Sequence, residues 1–391
     1  KKKSHNERKL HMKIVSIIVP LYYGNQYIPR LKQMAEACQK TLDASNSLEL
    51  ILSNDAPEQV IEENIHSDII DIIVLNTRTN RGIQGARVQG LKMSHGEYSV
   101  FLDQDDILYP DYVKSQLLCI GDADAAVCRC IHENKQLYNA DMKFEEVVSE
   151  EYLLTRGNAI ISAGQVLVRR NSIPELWTEN IMKTNCADDY LLWLCMIAEN
   201  ARFVLNQNIL FEHTISGSNL SLDYKRMILS LDEMYNILSK NKVFDEERIQ
   251  MISAMRKNAM FEWIALLEKF REMFMMLNAM TVCRENGYPF GKRLKDKGIK
   301  RVGIYGDGYL GKRVMGELKE HYIETAFFID RNADYLEEVV PVYKLENAPD
   351  NIDAIIISLV RNYNPVKKSL KEKYNVSIYT IREIVENTIY V

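Results

Sequence analysis

The 391-residue sequence lacks several features that mark whole classes of protein. No apolar run reaches the ~18–20 residues that a membrane-spanning helix needs. Glycine and proline, 17 and 9 residues, are too few for a collagen-like or low-complexity chain. Acidic residues (54) outnumber basic ones (49), and a net charge of -5 gives no basic surface for general nucleic-acid binding. These absences favour an ordinary globular protein of the cytoplasm, whose membrane contact is peripheral at most.

Two further absences concern secretion and thiolate metal sites. Residues 1–11 are too polar for a signal peptide, and we expect them to be a flexible arm or an extension foreign to the protein. The seven cysteines are an odd number at scattered spacings, and only Cys128 and Cys130 lie close together. Because no second pair completes a zinc site, we expect reduced, buried thiols and a reducing compartment.

The hydrophobic pattern predicts three domains. Residues 12–221 alternate short β-branched runs with helical patterns, which indicates an α/β domain with a mostly parallel sheet flanked by helices. Residues 222–297 carry Leu, Met, Trp and Phe at helical spacing, which predicts a helical connector. Residues 298–391 return to strands and helices, and we expect a small Rossmann-like βαβ domain there.

Individual elements follow from the same pattern. The predicted strands are 15–19, 48–52, 71–75, 98–102, 301–305, 325–329, 353–358 and 376–380. The main predicted helices are 26–41, 82–94, 227–238, 254–280 and 365–374. A methionine cluster in the connector is either a sticky partner surface or, more often, helix core; its members are Met273, Met275, Met276 and Met280.

The strongest chemical signal is an acidic tip, Asp103-Gln104-Asp105-Asp106, directly after a buried strand. Three acids within four positions repel one another unless a cation neutralises them. Asp103 and Asp105 can present their carboxylates on one side, and hard oxygen ligands favour Mg²⁺ or Mn²⁺. A solvated acidic loop, or Asp106 capping the next helix, explains the same residues without a metal.

Four segments in order resemble family 2 glycosyltransferases of the GT-A fold, over roughly residues 13–220. The segments are Ser16-Ile17-Ile18-Val19-Pro20-Leu21-Tyr22, Ser53-Asn54-Asp55, Asn80-Arg81-Gly82 with Ala86-Arg87, and Asp103-Gln104-Asp105-Asp106. The resemblance implies that a nucleotide-diphosphate sugar binds at the strand ends. Four matched segments are far more specific than any one of them.

The resemblance also implies a role for each residue on the donor side. Pro20, Leu21 and Tyr22 would form one wall of the base site, and Asp55 would accept a hydrogen bond from the base, which in this family is usually uracil. Arg81 and Arg87 would lie near the base or the diphosphate. Asp103 and Asp105 would hold the ribose and the divalent ion. Asn54 departs from the family's usual acid, which leaves the base less certain.

On the acceptor side, Asp188-Asp189 resembles the family's acidic pair at a helix start, where Glu-Asp is usual. Asp189 would be the general base, with Asp188 beside it, and direct attack on the anomeric carbon would invert its configuration. Plain helix capping is the alternative for such a pair. His213, followed by Ser216-Gly217-Ser218-Asn219, resembles the family's late His and Gly-Ser segment and would be a third metal ligand or a diphosphate donor.

A glycine turn near the C-terminus marks a possible second nucleotide site. Gly306, Gly308 and Gly311 follow a predicted strand and open a helix, and Asp330 ends the next strand. The turn resembles small Rossmann-like domains of sugar-modifying enzymes. Three roles are compatible with the pattern of this domain: nucleotide or sugar-nucleotide binding, a degenerate module for assembly or acceptor placement, and redox chemistry of its own.

The leading hypothesis is therefore a metal-dependent inverting glycosyltransferase with a nucleotide-sugar donor, expected to be UDP-linked. The acceptor would be a carbohydrate or a lipid-linked hydroxyl in surface polysaccharide or glycoconjugate synthesis, and the protein could form a homo-oligomer. The alternatives are a nucleotide-dependent oxidoreductase or a scaffold centred on residues 306–311. Neither explains the acids at 103–106 and 188–189.

Overall fold

A computed structural model describes residues 13–62, 64–138, 142–214, 223–333 and 339–389. It forms two compact units, an N-terminal unit (residues 1–260) and a C-terminal unit (residues 261–391). The three-domain boundaries drawn above remain a prediction. Within the described ranges, no helix is both long and apolar enough to cross a membrane.

The N-terminal unit alternates strands and helices, as predicted. Its elements are β1 (Lys13–Leu21), α1 (Ile28–Thr41), β2 (Asn46–Asn54), β3 (Asp71–Asn76), α2 (Gly82–Met93), β4 (Tyr98–Phe101), β5 (Ile107–Leu108), α3 (Tyr112–Ile120), β6 (Ala125–His132), β7 (Lys135–Gln136), α4 (Glu150–Thr155), β8 (Val166–Arg169), α5 (Glu175–Glu179), α6 (Asp188–Ala198), β9 (Phe203–His213) and α7 (Tyr224–Lys240). The predicted strands and helices at 15–19, 26–41, 48–52, 71–75, 82–94 and 98–102 are confirmed to within a few residues.

These strands form one sheet in the order β3-β2-β1-β4-β8-β6-β9-β5, with β7 beside β6. The pairs β1–β2, β2–β3 and β1–β4 are parallel, as predicted. α1 carries the chain back between β1 and β2, and α2 does so between β3 and β4. Beyond β4, β8 and β5 add antiparallel pairs that the sequence pattern did not indicate. Val15, Ile17, Leu50 and Val100 are fully buried, which places the core on this sheet.

The helices predicted at 227–238 and 254–280 are confirmed as α7 and α8 (Glu246–Glu285), and α8 contributes residues to both units. Their role as a connector between domains stays a prediction. Three of the four clustered methionines belong to the helix core, which was the more common of the two alternatives. Met276 is buried in the C-terminal core, and Met273 and Met280 pack against that core, whereas Met275 is exposed.

The C-terminal unit is built on a parallel sheet in the order β12-β11-β10-β13-β14. Its elements after α8 are α9 (Phe290–Asp296), β10 (Arg301–Tyr305), α10 (Tyr309–Glu320), β11 (Glu324–Ile329), β12 (Val342–Tyr343), β13 (Ala354–Ile357), α11 (Tyr363–Lys373), β14 (Ser377–Thr380) and α12 (Ile381–Ile389). The predicted strands are confirmed, and the short β12 is an addition. The central strand β10 runs into the glycine turn, as the Rossmann-like prediction requires.

The close approach of α10 to β10 is expected to make Gly311→Ala destabilising. A Cβ on Gly311 would lie 2.1 Å from the Gly306 carbonyl oxygen, a backbone atom that cannot move alone. We expect a loss of roughly 1–3 kcal/mol in unfolding free energy, measured by urea denaturation. Gly316, exposed on the same helix with nothing near its would-be Cβ, is the matched control. Gly316→Ala should gain about 1 kcal/mol through helix propensity, so equal effects of both changes would contradict the packing explanation.

Candidate active site

The candidate site lies where the central strands of the N-terminal sheet end. β1 lies between β2 and β4, and all three run in the same direction. Their carboxyl ends therefore meet at one edge, which is where ligands bind in open parallel sheets. A backbone hydrogen bond from Asp55 N–H to the Leu21 carbonyl (2.7 Å) joins two of these ends. The segments predicted to bind the donor after β1, β2 and β4 are thus neighbours in space.

An aromatic wall follows β1. Pro20 and Leu21 are buried, whereas the rings of Tyr22 and Tyr23 are exposed and meet edge to face with centroids 4.7 Å apart. Gln104 holds this turn, because its Oε1 accepts a hydrogen bond from Tyr22 N–H at 3.0 Å. The sequence pattern gave Gln104 no role, although it lies inside the acidic motif.

Asp55 organises the loop that enters α2. The residue is buried, and its Oδ1 accepts a hydrogen bond from Arg81 N–H at 2.6 Å. Burial raises the pKa of Asp55, and the loop N–H groups oppose that shift. The Arg81 side chain is exposed. The neighbouring Asn54 is used internally, donating through Nδ2 to Asn76 Oδ1 at 2.9 Å, so an amide here joins β2 to β3.

Arg87 connects the two acidic motifs. Its side chain is buried in α2, with Nη2 at 2.5 Å from Asp103 Oδ1 and Nη1 at 2.6 Å from Asp188 Oδ2. Burial alone would lower the pKa of Arg87, but the two carboxylates raise it, so the guanidinium stays charged. The prediction placed Arg87 near the base or the diphosphate. In the structure it joins Asp103, after β4, to Asp188, which begins α6. The two acids are far apart in the sequence, so the motifs alone did not predict this link.

Asp189 begins α6 beside Asp188. Its Oδ1 accepts a hydrogen bond from Tyr190 N–H at 2.7 Å, and its Oδ2 accepts one from Asn158 Nδ2 at 3.1 Å. Burial, with the neighbouring charge of Asp188, raises the pKa of Asp189 to about 7, and Arg87 opposes the shift. A carboxylate with a pKa near neutrality is suited to accept a proton. Asn158 lies in no recognisable motif, so the sequence offered no signal for it.

Asp106 is neither a solvated loop residue nor a helix cap. It is fully buried, and its Oδ1 accepts hydrogen bonds from Thr214 N–H (3.0 Å) and from the His213 ring, whose Nδ1 lies 2.9 Å away. Its Oδ2 accepts one from Ser162 Oγ at 2.9 Å. α3 instead begins after Asp111. The third acid of the motif therefore orients the late histidine.

His213 keeps its second ring nitrogen available for a ligand, because Nδ1 is taken by Asp106. Burial alone would lower the pKa of His213, but the bond to Asp106 and the charges of Asp106, Asp103 and Asp105 raise it. The ring stacks on that of His132, with centroids 5.2 Å apart. Sequence reasoning missed His132, which pairs with His213 only through the β6–β9 register. The segment 216–219 that follows lies outside the described residues.

The donor set fits a divalent cation, although no group of three His, Cys, Asp or Glu side chains in the described ranges is already gathered to hold one. Asp103 has one oxygen on Arg87, and His213 has one nitrogen on Asp106. The negative charges of Asp103 and Asp105 act on His213, so these residues share one region. Carboxylate oxygens with one imidazole suit Mg²⁺ or Mn²⁺. All seven cysteines lie in the described ranges and none forms a disulfide, and Cys128 and Cys130 are buried.

The glycine turn of the C-terminal unit has the geometry of a dinucleotide-binding fingerprint. Gly306 has a φ of +98°, a conformation that favours glycine. Gly311 lies so close to the carbonyl oxygen of Gly306 that a side chain on Gly311 would not fit. Asp330, at the end of β11, accepts a hydrogen bond from Asp307 N–H at 3.1 Å. The acid predicted to contact a ribose thus lies beside the turn.

Comparison with known proteins identifies the class of the N-terminal unit. Residues 16–176 match the family described as Glycosyl transferase family 2. An uncharacterized glycosyltransferase of Haemophilus influenzae is 30% identical over 220 residues, which cover 53% of this chain and 79% of that protein. The uncharacterized glycosyltransferase YwdF of Bacillus subtilis is 26% identical over 142 residues, 36% of this chain and about half (48%) of that protein.

The α/β fold of the N-terminal unit and these matches place the chain among the GT-A glycosyltransferases. The chain belongs to glycosyltransferase family 2, as the sequence motifs predicted.

Many solved structures are similar to the chain, and two of them serve as examples. S. aureus TarS 1-349 in complex with UDP-GlcNAc matches with a TM-score of 0.44 and 18% identity, over 80% of this chain and 89% of that chain. The mannosyltransferase PcManGT from Pyrobaculum calidifontis, in complex with GDP-Man and Mn2+, matches with a TM-score of 0.43 and 14% identity, over 62% and 69%.

Proposed function

We propose that this glycosyltransferase moves a sugar from a nucleoside-diphosphate donor, a UDP-sugar, to a hydroxyl acceptor with inversion at the anomeric carbon and with help from a divalent cation. The observation that carries the proposal is the Arg87 bridge, which holds Asp103 and Asp188 on one guanidinium. A donor-binding acid and the acidic pair that contains the proposed base are thereby kept at one site.

The donor would bind along the strand ends. The exposed Tyr22 ring offers a stacking surface for the base, and Asp55 offers a buried carboxylate that can accept from a base N–H. Arg81, exposed at the start of α2, would pair with phosphate oxygens. Asp103 has one oxygen on Arg87 and can use the other toward the ribose or a cation.

Asp189 would act as the general base. Its carboxylate takes the proton of the acceptor hydroxyl, whose oxygen bonds to the anomeric carbon while the bond from that carbon to the diphosphate oxygen breaks. The bonding electrons leave with the nucleoside diphosphate. Asn158 and the Tyr190 N–H hold the carboxylate in place. One displacement inverts the anomeric centre, which is why we propose an inverting enzyme.

Asp103, Asp105 and His213 would hold the divalent cation. Bound there, Mg²⁺ or Mn²⁺ supplies positive charge to the diphosphate leaving group. Asp106 orients His213 by accepting a hydrogen bond from Nδ1, so Nε2 would be the nitrogen that binds the cation. Neighbouring groups of this kind commonly contribute 10- to 100-fold to metal affinity.

Removing a proposed ligand is expected to weaken Mn²⁺ binding. Asp105→Asn and His213→Gln should each raise the Mn²⁺ dissociation constant by roughly 10- to 100-fold, measured by electron paramagnetic resonance of the free ion in the presence of UDP. His66→Gln is the control, because that side chain is exposed and pairs with Asp68. If Asp105→Asn and His213→Gln bind Mn²⁺ as tightly as the control variant, Asp105 and His213 are not ligands of the metal.

Transfer is also expected to depend on pH through Asp189. The folded-state pKa is raised to about 7, so the carboxyl is protonated, and unable to accept a proton, below that pH. kcat/KM should therefore fall about tenfold per unit as the pH drops from about 7 to about 5.5, and level off above. A flat profile over this range, with folding verified by circular dichroism, contradicts the assignment.

The function itself is tested with a panel of UDP- and GDP-sugars and Mn²⁺ or Mg²⁺. Slow donor hydrolysis without acceptor, abolished by chelation, is the expected result, and UDP-sugars should be preferred. Absence of metal-dependent binding or hydrolysis with every donor would overturn the proposal. Carbohydrate and lipid-linked acceptors can then be compared on the donor that reacts.

A second candidate function is nucleotide binding at the C-terminal unit, through Gly306, Gly308, Gly311 and Asp330. The positive φ of Gly306 and the close packing of Gly311 support it, as does Asp330 beside the turn. Equilibrium binding of NAD(H), NADP(H) and UDP-sugars to the full chain, with Asp330→Asn as the variant, tests it. Binding that survives in Asp330→Asn would place the ligand elsewhere.

A further inference from the structure

One long helix carries an apolar surface that its own unit leaves uncovered. Six large apolar side chains on α8 are between 42% and 67% exposed; the first five recur every three or four residues, and the sixth is adjacent to the fifth. They define the α8 apolar face: Phe261, Ile264, Leu267, Phe270, Phe274 and Met275. At helical spacing they form a continuous strip about 20 Å long.

These side chains are exposed although α8 also has a packed side. Met276 and Cys283 are buried in the C-terminal core, and Met273 and Met280 pack against it, from the opposite side of α8. α8 is therefore apolar on two sides, of which only one is covered within the C-terminal unit. A helix with apolar residues all round is normally buried, and exposed patches of this kind mark contact surfaces.

We propose that the α8 apolar face is a homodimer interface, which pairs α8 of one copy with α8 of a second copy about a two-fold axis. In such a pair the same surface meets itself on both copies. Six side chains of about 200 Å² each, roughly half exposed, offer about 600 Å² per copy. The pair would bury about 1,200 Å², which reaches the size of a stable specific interface.

The charges along the strip favour a protein partner over a membrane surface. Residues 261–275 contain two basic side chains (Lys269, Arg271) and three acidic ones, so the strip has a net charge of -1. Helices that lie on anionic lipid carry a basic polar face, which is missing here. Two acids, Glu268 and Glu272, are already paired with Arg361 of the same unit. Mixed charges at the rim are compatible with a copy of the same helix.

The test is the mass of the full-length chain in solution, by sedimentation equilibrium. The natural sequence should show twice its 45.3 kDa mass. The double variant Leu267→Glu/Phe274→Glu should dissociate, with its dimer dissociation constant raised roughly 100-fold or more, because two charges per copy would be buried without partners. Both positions are exposed in the single chain, so the monomer should keep its melting temperature.

A matched control adds the same charge elsewhere on the helix. Gln250→Glu/Asn258→Glu changes two exposed residues that precede the strip, and should leave the dimer unchanged. A natural chain that stays monomeric at about 100 µM overturns the proposal, as does a dimer that tolerates Leu267→Glu/Phe274→Glu. A monomer that sediments with anionic phospholipid vesicles, and loses that property in the double variant, overturns it in favour of a lipid surface.

Discussion

Asp189→Asn is expected to reduce sugar transfer by about 10²- to 10⁴-fold while the protein remains folded. The amide has the shape of the carboxylate and can still accept the Tyr190 N–H hydrogen bond, but it cannot take a proton from the acceptor hydroxyl. Because the loss is in the chemical step, kcat should fall and donor affinity should persist. Initial rates with the active donor and acceptor, with donor binding by calorimetry, measure both quantities.

Stability distinguishes this role from helix capping. The pKa of Asp189 is raised, so above pH about 7 its charge opposes folding, and removing that charge should leave the melting temperature unchanged or higher. A capping residue would instead lose stability on replacement. Asp122→Asn, at an exposed acid outside the site, is the control for loss of one charge. Near-natural turnover in Asp189→Asn would exclude it as the base.

Arg87→Met is expected to impair both folding stability and activity. The substitution leaves the Asp188 carboxylate buried, and that of Asp103 partly buried, without their shared cation. Breaking a buried ion pair on one side typically costs about 3–5 kcal/mol, which urea denaturation measures. Displacing the acids by even an ångström should lower transfer about 100-fold or more, measured at a temperature where the variant is folded. Arg87→Lys should rescue little, because a single ammonium nitrogen does not reproduce the separate contacts that Nη1 and Nη2 make.

The bridge itself is tested by a double-mutant cycle. In Arg87→Met/Asp188→Asn the uncompensated charge at Asp188 is removed together with the arginine, so part of the lost unfolding free energy should return. A coupling of about 1–3 kcal/mol between the two positions is expected. If the losses of the two single variants simply add, the contact between Arg87 and Asp188 contributes nothing to stability.

Asp189 and Arg87 belong to the same cluster of charged side chains. Asp103 and Asp188 lie 85 positions apart in the sequence, one after the central strand β4 and the other at the start of α6. A single guanidinium from α2 fixes both. Loss of Asp189 should remove the chemistry and spare the architecture, whereas loss of Arg87 should damage both.

The same contrast separates what could be read from the sequence from what could not. Strand runs such as 15–19 and 301–305, the acidic tip at 103–106 and the acid pair at 188–189 are local patterns, and each was found where the pattern predicted. The antiparallel β8 and β5 escaped prediction, because their pairing is set by partners distant in the chain. The helix-capping alternative for Asp106 failed for a similar reason, since its partners, Ser162 and His213, lie on other elements.

The sequence alone determined the family, the order of the elements and the identity of the acids at the strand ends. Those properties depend on residue type and on spacing along the chain. Only the tertiary structure decided that Arg87 serves two acids, that Asn158 holds Asp189 and that Asp106 orients His213. Hydrogen bonds and ion pairs join side chains that folding brings within about 3 Å, and no periodicity in a single sequence encodes that proximity.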